Sequence, residues 1–224
     1  MTEAFSFLDP IQSIPGIRAG WVERIPNTPI TGDRNEAMQQ LRPIHEITCK
    51  EFAPSPARWW RVEQVHGHDI AVIPTNNETT APDGLPVIPS CDGLITQSPQ
   101  QLLSIYVADC GAIWLADKKT KAIGLLHSGK KGTEANILGH AVRMMQQHYG
   151  SQPEDITAVL SPCIRPPDYE IDFAADIKNQ ADQAGLGDFI DCELNTADDL
   201  NRFYSYRKEL GKTGRMMAMI IRDF

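Results

Sequence analysis

Short apolar runs dominate the middle of the chain, and most of them are bounded by glycine, proline or other turn-forming residues. Runs of this kind are typical of β-strands. They are closely spaced between residues 93 and 126. The pattern predicts strands at 59–65, 70–73, 93–96, 102–108, 112–116, 122–126, 156–160 and 216–221.

Apolar residues recur at three- and four-residue spacing elsewhere in the chain, which is the pattern of a helix with one buried face. A helix is predicted at 133–148, where Gly150 is a natural stop. Its repeat is carried by Ile137, Leu138, Ala141, Met144 and Met145. We also expect a helix at 173–184, and a helix or a helix plus a strand at 197–210.

Prolines interrupt the N-terminal part of the chain, at positions 10, 15, 26, 29 and 43. This part is therefore expected to be irregular or edge-like apart from a short helix at 35–41. The Asn-, Thr- and Pro-rich stretch 74–89 is expected to be a long surface loop. Strands in the middle, with helices between and after them, predict a mixed α/β fold in a single domain, 1–224.

The charge balance restricts the possible partners. The 224 residues include 21 Lys+Arg and 29 Asp+Glu, a formal net charge of −8. Binding nucleic acid or an anionic membrane needs a dense basic face, so neither partner is expected. No run approaches the roughly 18 apolar residues of a membrane helix, and the first residues lack the pattern of a signal peptide. We therefore expect a cytoplasmic protein.

Three potential metal ligands stand out among the histidines and cysteines. His66, Cys110 and His127 each lie at the end of an apolar run, next to or near glycine, where a side chain can face a cleft. Their spacing matches no local metal motif, and the five cysteines include no Cys-x-x-Cys pair. The same residues also fit structural roles, as a turn histidine, a small buried thiol and a strand-end cap. Both interpretations stay open on the residues alone.

The order of the motifs around these residues resembles that of the laccase-domain family, also known as multicopper polyphenol oxidoreductases or purine nucleoside phosphorylases. The motifs are Gln64-Val65-His66-Gly67, the segment from Asp92 to Thr96, Ala108-Asp109-Cys110, and a His-x-Gly loop at His127. Segments 161–164, 169–171, 204–207 and 214–215 resemble the C-terminal signatures of the family. The similarity covers most of the chain, whereas 1–55 is divergent.

The resemblance implies a fold and a metal. The fold is an α-β-β-α sandwich of the kind shared with the catalytic domain of cytotoxic necrotizing factor. His66, Cys110 and His127 are implied to form the catalytic centre and to bind one zinc ion per chain, with a fourth zinc position left open. Copper fits less well, because multicopper oxidation needs several coupled ions and many more than the six histidines present.

The implied function is zinc-dependent chemistry on purine nucleosides: phosphorolysis of adenosine, inosine or methylthioadenosine, and deamination of adenosine. The expected partners are a small nucleoside and phosphate, and the oligomeric state stays open. Candidate substrate contacts are Gln64, Asp109, Lys130, Lys131 and Arg207. The loop 127–132 reads His-Ser-Gly-Lys-Lys-Gly, where most family members have His-Ala-Gly-Trp-Arg-Gly. The change keeps the metal ligand and alters the expected substrate pocket.

Three other functions stay open. With Cys110 as a free nucleophile and a histidine as its base, the protein would be a Cys–His hydrolase or amidase. The older family name suggests a copper-dependent phenol oxidase. A divergent metal-binding protein without activity is the third alternative, and the changed loop 127–132 is its motivation.

Overall fold

The computed structural model describes residues 5–30, 32–53 and 57–224. The helices are α1 (Asp9–Gln12), α2 (Arg34–Phe52), α3 (Lys130–Glu134), α4 (Ile137–Tyr149) and α5 (Phe173–Ala184). The strands are β1 (Ile17–Val22), β2 (Arg58–Arg61), β3 (Ile70–Val72), β4 (Thr79–Thr80), β5 (Pro86–Val87), β6 (Gly93–Thr96), β7 (Gln101–Val107), β8 (Gly111–Asp117), β9 (Ile123–Ser128), β10 (Ile156–Leu160), β11 (Asp188–Asp191) and β12 (Met216–Arg222).

The described strands form two main sheets and a small hairpin. The four-stranded sheet has the order β1-β12-β7-β2, and the six-stranded sheet has the order β11-β10-β8-β9-β6-β3. β4 pairs only with β5 within the described residues. Consecutive strands β7 and β8 belong to different sheets, as do β2 and β3. The chain therefore crosses from the smaller sheet to the larger one at 108–110 and again at 62–69.

Side chains alternate across the strands and separate three apolar layers. On β8, Ala112 and Trp114 belong to the layer between the two sheets, whereas Ile113 and Leu115 pack with residues of α4 and α5. The other face of the four-stranded sheet packs in the same way against α2. The order of layers is helix, sheet, sheet, helix. This confirms the mixed α/β sandwich predicted above.

Most of the predicted elements are present. β6, β10 and α5 have the predicted bounds, 93–96, 156–160 and 173–184. The strand predicted at 59–65 is shorter, because β2 ends at Arg61 and Val62 makes only an isolated bridge to Ile88. The stretch 74–89 is a long connection as predicted, although it contains the hairpin of β4 and β5.

The N-terminal part was predicted to be irregular or edge-like, and β1 is a regular strand at the edge of the four-stranded sheet. This strand pairs antiparallel with β12 and completes the four-stranded sheet. Its side chains Ile17, Ala19 and Trp21 are buried in the layer between the sheets. Gly20, between Ala19 and Trp21, is buried as well. The segment therefore lacks the regular alternation of polar and apolar residues that would mark a strand.

The helix predicted at 35–41 is part of a longer one. α2 starts at a capping box in which Asp33 and Glu36 each accept a hydrogen bond from the other's backbone N–H. It continues through Pro43 to Phe52. Pro43 is exposed, so the carbonyl four residues before it can bond to water, and the helix tolerates the missing donor.

Two further helix predictions need correction. The helix predicted at 133–148 is split into α3 and α4 at Asn136, which has φ 54° and caps α4 by accepting from the Gly139 N–H. The helix or helix plus strand predicted at 197–210 is a series of turns. In that segment the side chains of Asp199 and Ser205 accept hydrogen bonds from nearby backbone N–H groups. Such bonds compete with those of a helix.

Candidate metal centre

The three predicted metal ligands come together where the two sheets meet. His66 lies between β2 and β3, Cys110 lies between β7 and β8, and His127 lies on β9. Their ligand atoms all lie within 4.8 Å of one another. In the described ranges, no other group of three or more His, Cys, Asp or Glu side chains is arranged to hold a metal ion.

The cluster is open on one side. His127 is buried, Cys110 is half-buried and His66 is exposed. The rings of His66 and His127 meet edge to face, with centroids 4.8 Å apart. A small molecule can therefore reach the cluster from the His66 side, while the other two donors are held inside the fold.

Asp92 positions two of the three ligands. Its carboxylate accepts hydrogen bonds from the N–H groups of His66 at 2.9 Å and Gly67 at 2.7 Å, and Nδ1 of His127 lies 2.7 Å from the same group. Its backbone carbonyl accepts the His127 N–H at 2.7 Å. With Nδ1 of His127 bonded to a carboxylate, Nε2 is left for a metal ion, the usual arrangement at histidine-ligated metals.

The donor set fits a metal ion. Two imidazoles and one thiolate suit zinc, and three protein donors leave a coordination position for a substrate or water. The same donor types are also used by copper. The arrangement therefore supports a metal centre.

The cluster shifts the pKa values of its own members. Burial raises the pKa of the Cys110 thiol, but the charge and hydrogen bonds of His127 and His66 outweigh this effect and bring the pKa below its ordinary value. Burial lowers the pKa of His127, but Cys110 and Asp92 outweigh it and raise this pKa. Without a metal, Cys110 and His127 therefore tend toward a thiolate and an imidazolium.

The backbone at the site depends on a glycine and on unusual torsion angles. A Cβ added to Gly129 would stand 2.4 Å from Sγ of Cys110, so only glycine lets the 127–132 loop pass this close to the thiol.

Three other residues at the site have backbone torsion angles in the left-handed region: Gln64, His66 and Asp109 have φ of 61°, 65° and 79°. Non-glycine residues in this left-handed region concentrate at functional sites, because the strain must be maintained by the surrounding structure.

Gln64 and Asp109, two of the predicted substrate contacts, are engaged by the protein itself. The Gln64 amide donates to the Tyr106 carbonyl at 2.6 Å and accepts from the Tyr106 N–H at 2.9 Å, which attaches the His66 segment to β7. The Asp109 carboxylate accepts from the Thr196 hydroxyl and the Arg207 N–H, both at 2.7 Å.

The three predicted basic contacts are spread more widely. Lys130 and Lys131 are exposed in the first turn of α3. The Arg207 side chain is about half exposed, forms an ion pair with Glu170 and lies over the Tyr169 ring at 5.0 Å. Asp109 lies next to the cluster because it precedes Cys110 in the chain. Among the described residues, none of the three basic side chains forms a hydrogen bond or an ion pair with a ligand atom of the cluster.

Asp92 and Gly129 are the site residues that sequence reasoning missed. Both lie inside the motifs quoted above, but the motifs do not show what the residues contact. The carboxylate of Asp92 is buried with no basic residue nearby in sequence, and the strand pairing of β6 with β9 decides that it faces His127. The signal was a single acidic residue directly before a short, mostly apolar strand.

Comparison with known proteins identifies the family. The sequence model described as multi-copper polyphenol oxidoreductase laccase matches residues 26–183 and 170–223. The chain belongs to this family. Within the laccase family, "Purine nucleoside phosphorylase YlmD" of Geobacillus stearothermophilus is 31% identical over 73% of this chain and 72% of that protein. A "Purine nucleoside phosphorylase" of Deinococcus radiodurans is 36% identical over 58% of this chain and 60% of its own length.

A solved structure shows the same fold. The crystal structure of YlmD from Geobacillus stearothermophilus superposes with a TM-score of 0.78 at 24% identity, covering 94% of this chain and 93% of that one. The sequence matches confirm the predicted resemblance to the laccase family, and the solved structure shows that the fold is shared along nearly the whole chain. Among the described residues, no helix combines the length and apolar character that crossing a bilayer requires.

Proposed function

We propose that this protein is a zinc-dependent purine nucleoside enzyme. The observation that carries the proposal is the cluster of His66, Cys110 and His127, whose ligand atoms lie within 4.8 Å of one another. The cluster is open to solvent on the side of His66. Relatives named purine nucleoside phosphorylase support the choice of substrate. The proposed reactions are phosphorolysis of adenosine, inosine or methylthioadenosine and deamination of adenosine.

Zinc is the proposed metal, held by Nε2 of His127, the Cys110 thiolate and a ring nitrogen of His66. A zinc ion in such a site supplies a Lewis acid with an open coordination position. The chain itself orients the donors: Asp92 holds the His127 ring and the His66 backbone, and Gln64 holds the segment of His66 against β7. Oriented donors keep the geometry of the centre fixed while a substrate binds.

Product analysis tests the activity. Purified protein with its metal content determined by mass spectrometry would be incubated with adenosine, with inosine and with methylthioadenosine, each with and without phosphate. Free base and a pentose 1-phosphate that form only with phosphate support phosphorolysis. Inosine formed from adenosine without phosphate supports deamination. No product from any of the three nucleosides would contradict the proposal.

Variants of the ligands test the metal. Cys110→Ala or His127→Ala removes one of three protein donors, and we expect each to lose the bound metal and the activity together. A matched control is Cys192→Ala, since Cys192 is a half-buried thiol of the β11 end that is no part of the cluster. Stoichiometric zinc in Cys110→Ala would show that the proposed ligand set is wrong.

The second candidate function is a Cys–His hydrolase. The observation that favours it is that His127 is hydrogen-bonded to Cys110 on one side and to Asp92 on the other. A nucleophile, a base and an orienting carboxylate are the parts of a catalytic triad. Metal content distinguishes the two functions. One tightly bound zinc ion per chain supports the nucleoside enzyme, whereas an active protein without metal supports the hydrolase.

A further inference from the structure

Arg215 is a buried cation beside the candidate metal centre. The residue is 9% exposed, and its Nη1 donates to the carbonyls of Thr213 at 3.0 Å and Gly214 at 2.8 Å. No ion pair between described residues includes Arg215. A buried guanidinium without a carboxylate is costly, because two carbonyls compensate its charge only in part.

Strand register places Arg215 next to the centre. Met216, the first residue of β12, pairs with Val107 near the end of β7 in antiparallel register. Arg215 therefore lies opposite Ala108, at the point where the chain continues to Asp109 and Cys110. The charge of Arg215 interacts with both of these side chains.

A second arginine lies near the same place. Arg34, in the first turn of α2, donates from Nη2 to the carbonyl of Glu63 at 2.8 Å, three residues before His66. Its charge interacts with that of Arg215 and with that of Asp92. Arg34 is exposed, so a small molecule can reach it.

The two arginines make the place favourable for an anion. Burial, followed by the positive charge of Arg34, lowers the pKa of Arg215 to about 10. Both effects disfavour the charged form of Arg215, and they outweigh the charges of Cys110 and Asp109 that favour it. An anion bound between the arginines would balance the positive charge, and guanidinium groups form strong, charge-assisted hydrogen bonds with phosphate.

The other basic residues near the centre differ from this pair. Arg207 is already balanced by its ion pair with Glu170. Lys130 and Lys131 are exposed, so water solvates their charges. Unlike these three side chains, Arg215 combines burial, proximity to Cys110 and the absence of a carboxylate partner among the described residues.

We propose that Arg215, with Arg34 as a second cation, binds the phosphate that reacts with the nucleoside. The inference rests on the proposed function and assigns the phosphate site within it. In the reaction, an oxygen of hydrogen phosphate forms a bond to C1′ of the pentose while the glycosidic C–N bond breaks. The electron pair of that bond stays on the purine, which takes up one proton, and the phosphate loses one. The products are the free base and a pentose 1-phosphate.

Direct titration of the metal-loaded protein with inorganic phosphate tests the site. We expect Arg215→Gln to weaken phosphate binding about tenfold or more, because a hydrogen-bonded charge is lost. Arg215→Lys should recover part of the affinity, and Arg34→Gln should cause a smaller loss. Metal content and the KM for the nucleoside should stay at their wild-type values in all three. The matched control is Arg143→Gln, an exposed arginine on α4 far along the chain from the site.

The titration separates this inference from the proposed function. Suppose that the wild-type protein cleaves no nucleoside, but Arg215→Gln still binds phosphate more weakly than the wild type. That result would support the anion site and contradict only the proposed phosphorolysis. Equal phosphate affinity in wild type and Arg215→Gln, or no binding in the wild type, would overturn the site. If the melting temperature shows that Arg215→Gln is unfolded, unchanged affinity in both Arg215→Lys and Arg34→Gln would overturn it.

Discussion

The carboxylate of Asp92 lies 2.7 Å from Nδ1 of His127, and both side chains are buried. The same carboxylate accepts the backbone N–H groups of Val65, His66 and Gly67. One side chain therefore fixes the ring of one predicted ligand and the backbone of another. Hydrogen bonds from His127 and from these amides outweigh burial and hold the pKa of Asp92 below its usual range.

Replacing this carboxylate should weaken metal binding. In Asp92→Asn the amide accepts fewer hydrogen bonds and carries no charge to orient His127, so we expect the affinity for zinc to fall about 10- to 100-fold. Competition with a chelator of known affinity measures the change. The control is Asp69→Asn, an exposed carboxylate in the connection that carries His66. Equal zinc affinity in Asp92→Asn and wild type would contradict the positioning role.

A methyl group at Gly129 should disrupt the centre. The new Cβ in Gly129→Ala would stand 2.4 Å from the Cys110 sulfur, so the thiol or the loop must move. We expect loss of bound metal and a loss of about 1–3 kcal/mol in the free energy of unfolding, as for overpacked sites. Metal analysis and urea unfolding measure the two effects. Gly67→Ala is the control, because its Cβ would have its nearest contact at 3.4 Å. Wild-type metal content in Gly129→Ala would show that the loop adapts.

The alkylation rate of Cys110 should depend on pH and on metal. Its pKa in the metal-free protein is lowered to about 6, so the reactive thiolate should accumulate as the pH rises through this value. Iodoacetamide labelling followed by mass mapping measures the rate at each pH, and zinc should slow it. Cys91 is the internal control, since burial raises its pKa. A labelling profile of Cys110 centred near the ordinary thiol pKa of about 8.5 would contradict the lowered pKa, and fast labelling with zinc bound would favour the hydrolase.

His45 should make the protein less stable in acid. It is 1% exposed, and neither ring nitrogen has a hydrogen-bond partner. Burial, and then the charge of Arg61, lowers its pKa to about 4 from 6.5. As the pH falls below 6.5, the unfolded chain binds a proton that the folded chain does not, so His45 lowers the free energy of unfolding by about 3 kcal/mol by pH 4.

The variant His45→Phe isolates this contribution. Phenylalanine keeps the ring against Tyr106, whose centroid lies 5.2 Å away, and it cannot be protonated. The difference between the free energies of unfolding at pH 7 and pH 4.5, from urea titrations, should therefore be smaller than in wild type. His148→Phe, at an exposed position of α4, should keep the wild-type difference. An unchanged difference in His45→Phe would mean that His45 is protonated in the folded protein.

The fold was predictable from sequence where local signals agree with packing. α5 has a helical repeat and a glycine stop at Gly185, and β6 and β10 are short apolar runs between turns, so their bounds were found. β1 and the second half of α2 were missed, because prolines near them suggested irregular structure. Burial in the sandwich stabilises both elements, and nothing local in the sequence shows that burial.

The site was predictable only in part. His66, Cys110 and His127 could be found as motif residues, and the structure brings their ligand atoms within 4.8 Å of one another. The contacts of Asp92 with His127, Gly129 with Cys110 and Arg215 with the end of β7 depend on which strands are neighbours and in which register. Strand order is set by the packing of the whole chain, so these contacts cannot be inferred from spacing along the sequence.

The two passages of the chain between the sheets have a mechanical consequence. Residues 62–69 and 108–110 are the connections in which the chain leaves the four-stranded sheet for the six-stranded one, and each supplies one predicted ligand, His66 and Cys110. The third, His127, belongs to the larger sheet itself. A cation held by all three would cross-link the sandwich at its seam as a disulfide cross-links two loops, so removing the ion would loosen the attachment of one sheet to the other.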